Sequence, residues 1–306
     1  MPDQHLRIYR VTTAESEEAL RFYTSGGTDT VHSVAAVQEL RHAIRKGTWR
    51  IEDQIVARRG NVLVGSIPFF ISPSRTAVIA FPSTAPSENP DTLTTLVKAA
   101  VDAAARQGAS LSVALIPLRF PHGGIPFLSA GFHRVAVLTN MESASLAYPS
   151  DASSLNWITY DNTTHHQFEH TFSATLEGTL DCPSLPRVQT AAEVLEGHKL
   201  AGEFRPDLWL LALMQDRAIG CVLINQLRKP GHFCLVYLGV VPHCRGQRYG
   251  ETLMRFAISR ARRAGATKIS LSVDEQNRPA VNIYQRLGFR PTDKTLLYAL
   301  SIPRSP

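Results

Sequence analysis

Arg245-Gly246-Gln247-Arg248-Tyr249-Gly250 sets two arginines and two glycines in six residues. An apolar run, residues 233–241, stands before it, and an amphipathic basic stretch from Thr252 follows. That pattern predicts a strand, a corner and a helix starting near Tyr249. Pro242 cannot donate to a ladder and ends the strand. The first amides of a helix lack internal partners and carry the positive end of its dipole. Glycines let a backbone approach an anion closely, so the corner suits a pyrophosphate; a plain loop with two exposed arginines is the simpler alternative. A second segment, residues 277–289, has Asn277 at an N-cap position and Pro279 in the first helical turn. Ala280, Ile283, Tyr284 and Leu287 recur at helical spacing, and Gly288 stops the run. Tyr284 reads either as a core aromatic or as a phenol able to donate a proton.

The elements around these segments occur twice. VGSI at residues 64–67 answers IGCV at 219–222, and residues 92–113 answer 252–273. Gly108 and Gly265, like Phe132 and Phe289, stand 157 positions apart. Three ordered matches at a near-constant offset imply two copies of one fold. Each copy reads as an opening strand, helical segments, antiparallel strands, a long helix, a strand, a short helix and a last strand. The expectation is a mixed α/β (α+β) class, with two tandem domains, each a mostly antiparallel sheet flanked by helices. They span residues 1–145 and 155–306, with a Ser/Ala/Pro-rich linker at 146–154.

Together the two segments resemble the GCN5-related N-acetyltransferase (GNAT) superfamily. Arg245 and Gly250 match its Gln/Arg-x-x-Gly-x-Gly/Ala motif; Asn277, Ala280, Tyr284, Gly288 and Phe289 match its later Asn-x-x-Ala-x-x-x-Tyr-x-x-x-Gly-Phe motif. The strong match covers residues 208–300. The resemblance implies acetyl-CoA as acyl donor, lying between splayed fourth and fifth strands. Backbone of Leu238 and Val240 would bond its arm, amides of Arg245, Gly246, Gln247, Arg248, Tyr249 and Gly250 would hold its pyrophosphate, and Asn277 would complete the site. Val240 would polarise the thioester carbonyl and Tyr284 would protonate the departing thiolate. Arg248 departs from the motif, standing where the family has glycine. The fourth strand offers Cys234, Val236 and Tyr237 but no carboxylate, which leaves Glu177, Asp181, Glu203, Asp207 and His232 as candidate bases. Glu177 and Asp181 are favoured as acceptor contacts. The first copy has acidic, glycine-free SENPDTL at the corner and Phe127 in place of Tyr284, and so reads as degenerate. A worn first copy and a working second resemble the layout of mycothiol synthase.

Acetyl transfer to a small primary amine or aminoacyl-like metabolite follows as the expected activity, with a peptide amine or a non-catalytic acyl-CoA sensor as alternatives. The net charge of +6 comes without a basic tail or long charge run. Nucleic-acid binding through Arg255, Arg260, Arg262 and Arg263 is disfavoured because these side chains spread around the helix. Four cysteines form no CxxC pair, and His232, Cys234, His243 and Cys244 lack zinc-finger spacing, so no metal is expected. No run is long enough to span a bilayer and the start has no apolar leader, which places the expected monomer or homodimer in the cytoplasm.

Overall fold

The computed structural model describes residues 5–25, 41, 44, 49–120, 122–145 and 155–303. The expected linker, 146–154, lies outside these residues. Two compact units emerge. The first comprises Met1–Val135, Pro186–Val188 and Leu296–Pro306, the second Ala136–Leu185 and Gln189–Thr295.

In the first unit β1 (Leu6–Arg10) is followed by α1 (Ser16–Ser25), β2 (Gln54–Arg59), β3 (Val62–Ile71), β4 (Thr76–Ile79) and the short β5 (Ser83–Thr84). Then come α2 (Asp91–Arg106), β6 (Leu111–Pro117) and α3 (Ile125–Ser129). Strands β1 to β4 are antiparallel neighbours, and β4 runs parallel to β6. Leu96, Val97, Ala100, Ala103 and Ala104 form one buried stripe of α2, the face an amphipathic helix turns to a sheet. Gly65 on β3 makes room for it, since a Cβ there would lie 2.9 Å from Leu96 Cδ1.

The start of α2 is filled by its own chain. Asn89, Asp91, Thr92 and Leu93 amides all find acceptors within residues 88–90. Glu88 takes the Arg59 guanidinium through both oxygens, at 2.8 and 3.0 Å, and also accepts from Thr92 Oγ1. The Arg59 hydrogen bonds, above all, lower the Glu88 pKa to about 2. Phe127, fully buried on α3, packs edge-on to Phe132 and against Phe81 and Tyr298.

The second unit takes β7 (His133–Ser143) from Ala136 onward, then β8 (Asn156–Thr159), α4 (His165–Leu176), α5 (Ala191–His198), β9 (Trp209–Met214), β10 (Arg217–Gln226) and β11 (His232–Val240). It continues with α6 (Tyr249–Arg263), β12 (Lys268–Asp274), α7 (Arg278–Arg286) and β13 (Arg290–Ser301) as far as Thr295. The strand order is β13-β7-β12-β11-β10-β9-β8. Neighbours from β8 to β11 are antiparallel; β12 is antiparallel to β7 and parallel to β11. The repeat is physical: six-residue β2 and β9, ten-residue β3 and β10, and seven-residue β6 and β12 recur in order.

Local sequence explains the second unit's elements. Leu253, Met254, Ala257, Ile258 and Ala261 form the buried stripe of α6, and Arg260, Arg262 and Arg263 sit at its negative C-terminal end. A capping box joins Thr190 and Glu193 at the start of α5. Trp209, buried, donates to Asn225 Oδ1 at 2.8 Å, and Asn225 donates onward to His198 O.

One irregularity positions the site. Strands β11 and β12 pair only from His232–Lys268 to Cys234–Ser270. On the other edge of β11, Leu223 faces Tyr237 while the next residue, Ile224, faces Leu235. Val236 is therefore a bulge, which adds a residue and bends the strand. By that point β11 and β12 have already parted.

The pH dependence of the Glu88 pair is a test of the first unit. Its folded pKa is depressed, so its stabilisation is complete above the unfolded glutamate value and disappears as pH falls toward 2. Glu88→Gln should cost about 1–2 kcal/mol in urea unfolding at pH 7, the range for a charged hydrogen bond at a partly exposed site, and almost nothing at pH 2.

Candidate active site

Where β11 leaves β12 a cleft of about 660 Å³ opens, lined by β11, the corner after it, the ends of α4 and β12, and α7. Val241 donates to Ile219 O on β10 at 2.9 Å. Because strand residues alternate in direction, Leu238 and Val240 turn their N–H groups the other way, into the cleft. Gly239 between them permits a close crossing: a Cβ there would lie 2.6 Å from Thr175 Oγ1 and 2.7 Å from the Tyr237 hydroxyl. Those two hydroxyls are hydrogen-bonded at 2.7 Å, and Thr175 Oγ1 is also 2.7 Å from Phe172 O.

The corner itself starts with a 3-10 turn, Pro242–Cys244. Arg245 is a clamp: its guanidinium donates to Val240 O (3.0 Å), Gly178 O (3.0 Å) and Thr175 O (2.9 Å). Its amide donates to Pro242 O, so it is spent inside the turn. The amides of Gly246, Gln247, Arg248, Tyr249 and Gly250, by contrast, meet no acceptor among the described residues. Gly246 (φ 76°) and Arg248 (φ 65°) both adopt left-handed backbone. At Gly246 this is free; at Arg248 it strains an L-residue. The position where the resembled motif carries glycine is thus one where the backbone asks for it.

On the far wall Asn277 caps α7, accepting from the Ala280 amide at 3.3 Å. Tyr284 lies two turns on, only 6% exposed, with its side chain on the cleft lining and edge-on to Phe289. Burial, and then the negative charge of Asp181, pushes the phenol pKa up. Asp181 reaches this position because the segment after α4 is stitched to the end of β12: Cys182 N donates to Asp274 Oδ2 (3.2 Å) and Asp274 N to Asp181 Oδ1 (3.4 Å).

Leu238, Val240, Arg245, Gly246, Arg248, Tyr249, Gly250, Asn277, Tyr284 and Asp181 therefore line one cleft. Gln247 side chain and Glu177 do not. Gln247 Nε2 turns back to His243 O, and Glu177, where α4 ends in extended backbone, lines a separate depression beside His170 and His243. Among the other candidate bases, Asp207 is held by Arg205 at 2.8 and 2.9 Å, and the Glu203 backbone bridges to Gln226. Burial and nearby lysines lower the His232 pKa, and it lies outside the cleft lining. Burial pushes the Cys234 thiol up to about 11, too high for a base at neutral pH. Thr175, Asp274, Glu251 and Arg286 escaped sequence reasoning. The Glu251–Arg255 spacing of four carried a signal for that pair alone; the others meet their partners only through tertiary packing.

Residues 166–289, almost all of them within the second unit, match the acetyltransferase (GNAT) family. The chain is 28% identical over 110 residues to the peptidyl-lysine N-acetyltransferase YjaB of Salmonella typhimurium, covering 35% of this chain and 68% of that one. Over 98% of its length it superposes on 96% of a GCN5-related N-acetyltransferase from Sphaerobacter thermophilus, with TM-score 0.66 and 15% identity. It also matches a tandem GNAT protein from the clavulanic acid biosynthesis pathway, over 99% of this chain and 100% of that one, with TM-score 0.59 and 14% identity. The fold of both copies is therefore GNAT-like. No helix among the described residues is long and apolar enough to cross a membrane.

Relieving the backbone at residue 248 should be visible in stability. Arg248→Gly removes left-handed strain of roughly 1–2 kcal/mol, partly offset by the greater freedom of glycine in the unfolded chain. The expected result is a higher urea midpoint, by about 1 kcal/mol in unfolding free energy.

Proposed function

We propose that the second unit transfers an acetyl group from acetyl-CoA to the primary amine of a small or aminoacyl-like metabolite. The observation that carries this reading is the single cleft that gathers open amides at one end, an unpaired strand edge along its length, and a buried phenol beside a carboxylate.

The residues fit the donor. Five amides from Gly246 to Gly250 would hold the diphosphate, and Leu238 and Val240 would pair with the extended arm as a strand neighbour would. Asn277 keeps α7 in place by its cap. The donor supplies an activated thioester. Val240 N–H, aimed into the cleft, stabilises negative charge on the carbonyl oxygen. The neutral amine forms the new C–N bond as the C–S bond breaks, and the amine proton leaves to water. Tyr284 gives its phenolic proton to sulfur, and its raised pKa keeps that proton in place at working pH. Asp181, on the same lining, faces the incoming amine with negative charge. Leu180, 53% exposed at the cleft, offers apolar contact to the rest of the acceptor. A peptide amine is the alternative acceptor within this class, the chemistry named for the Salmonella relative.

The test is CoA release from acetyl-CoA across amines, amino acids, polyamines, aminoglycosides, cysteinyl sugars and lysine peptides. Release should depend on one acceptor class. Tyr284→Phe should lower kcat at least tenfold, the lower side of the ~10²–10⁴ typical of general acid–base groups, with acetyl-CoA affinity held within about twofold. Unchanged turnover would remove the acid role. The rate should also show no alkaline limb from Tyr284 below about pH 10, the ordinary phenol value.

A further inference from the structure

Three features of the second unit have no part in the chemistry just described: Arg248's side chain, Arg286, and Glu251 between them. Arg248 lines the cleft, and its guanidinium meets no partner among the described residues. Arg286, on the last turn of α7, lines the cleft too and is 56% exposed. Its Nε and Nη2 bind Glu251 Oε2 at 3.2 and 3.1 Å, leaving Nη1 uncommitted. Glu251 gives its other oxygen to Arg255, at 2.8 and 3.1 Å. The two helices are held together here because Gly250 lacks a side chain: a Cβ would lie 3.2 Å from Ile283 Cδ1. Ile283 stands one turn before Arg286, so the seat at Gly250 fixes where Arg286 emerges.

The charges do not cancel. Glu251 is neutralised by one arginine and then outnumbered by the second, and Arg248 adds a further full charge with no carboxylate to meet it. A diphosphate held by backbone amides does not need this excess. A phosphate monoester does, because it is close to a dianion at neutral pH and binds best to arginine's planar fork.

We infer that Arg248 and Arg286 form a side-chain subsite at the cleft rim for a terminal phosphate monoester, that of a 3′-phosphorylated nucleoside, one sugar away from the diphosphate. The inference rests on the acetyl-CoA reading of the cleft and adds to it a selectivity: the protein distinguishes CoA from 3′-dephospho-CoA. Arg286 is aimed by Glu251, while Arg248 is aimed by the left-handed turn that places it at the start of α6.

Calorimetric titration of the full chain with CoA and with 3′-dephospho-CoA tests it. Wild type should bind CoA at least tenfold more tightly. In the variant Arg286→Gln the ratio should fall below about threefold, with dephospho-CoA affinity little changed. Arg286 takes no part in holding the diphosphate, so that change reads the subsite, and thermal unfolding confirms that α7 is intact. Equal loss of both ligands in the variant would place Arg286 on the diphosphate and overturn the subsite. A wild type that binds both ligands equally would overturn it as well. Absence of binding to either ligand by wild type would instead overturn the acetyl-CoA reading on which the subsite rests.

Discussion

The parting of β11 from β12 after Cys234–Ser270 is the constraint on which the second unit depends. A strand edge stripped of its neighbour exposes N–H and C=O groups that elsewhere would be bonded. The bulge at Val236 follows directly on the parting, and three devices keep the edge open. Arg245 takes three carbonyls, one on β11 and two at the end of α4. Gly239 lets Thr175 and Tyr237 close over the strand with no side chain between. Asp274, buried at the end of β12, holds the segment that carries Asp181. Arginine suits the first role because its fixed fork of donors spans several acceptors at once; a lysine's single ammonium could not reach Val240, Thr175 and Gly178 together.

That open edge also decides which groups of the site are polar and which are not. Donors inside the cleft are backbone amides, whose positions the strand and the helix start determine without cost in side-chain freedom. The Tyr284 phenol is buried and opposed by Asp181's charge, so its environment favours the protonated form twice over. Formal positive charge is kept to the rim, where water screens it and where Glu251 can hold two arginines apart. A buried guanidinium near Tyr284 would have pulled the phenol pKa down and weakened its hold on the proton.

Periodicity and motif spacing made much of this legible. The helical spacing of Ala280, Ile283 and Tyr284 and the cap at Asn277 located α7 and the phenol, and the corner's glycines located the amides. The repeat offset gave two units of one fold. What the sequence could not carry was tertiary. Arg245 was legible as a motif residue, but that its amide is consumed and its side chain clamps α4 depends on how α4 ends. Glu177 and Asp181 are four residues apart and equally acidic; only the tether to Asp274 turns one toward the cleft while the end of α4 leaves the other outside it. Strand β13 illustrates the same limit at the scale of the fold. Its residues to Thr295 belong with one unit and those from Leu296 with the other, a division no local pattern announces.

The two copies separate fold from chemistry. Both place a long helix between two strands that pair briefly in parallel, and both stop that helix with a glycine at matching positions, Gly108 and Gly265. At the start of α6 the amides are open and the nearest formal charges are arginines. At the start of α2 the same amides are closed by Asn89 and Glu88, with Asp91 adding negative charge in the first turn. An anion that the first arrangement attracts is repelled by the second, although the backbone path is shared. Phe127 completes the contrast: buried among Phe81, Phe132 and Tyr298, it fills as core the place that in the other copy presents a hydroxyl to a cleft. In the first unit the corresponding corner is occupied by packing and ion pairs, which stabilise a fold without needing a ligand. The two copies therefore differ in their local charge and hydroxyl inventory while they have their architecture in common.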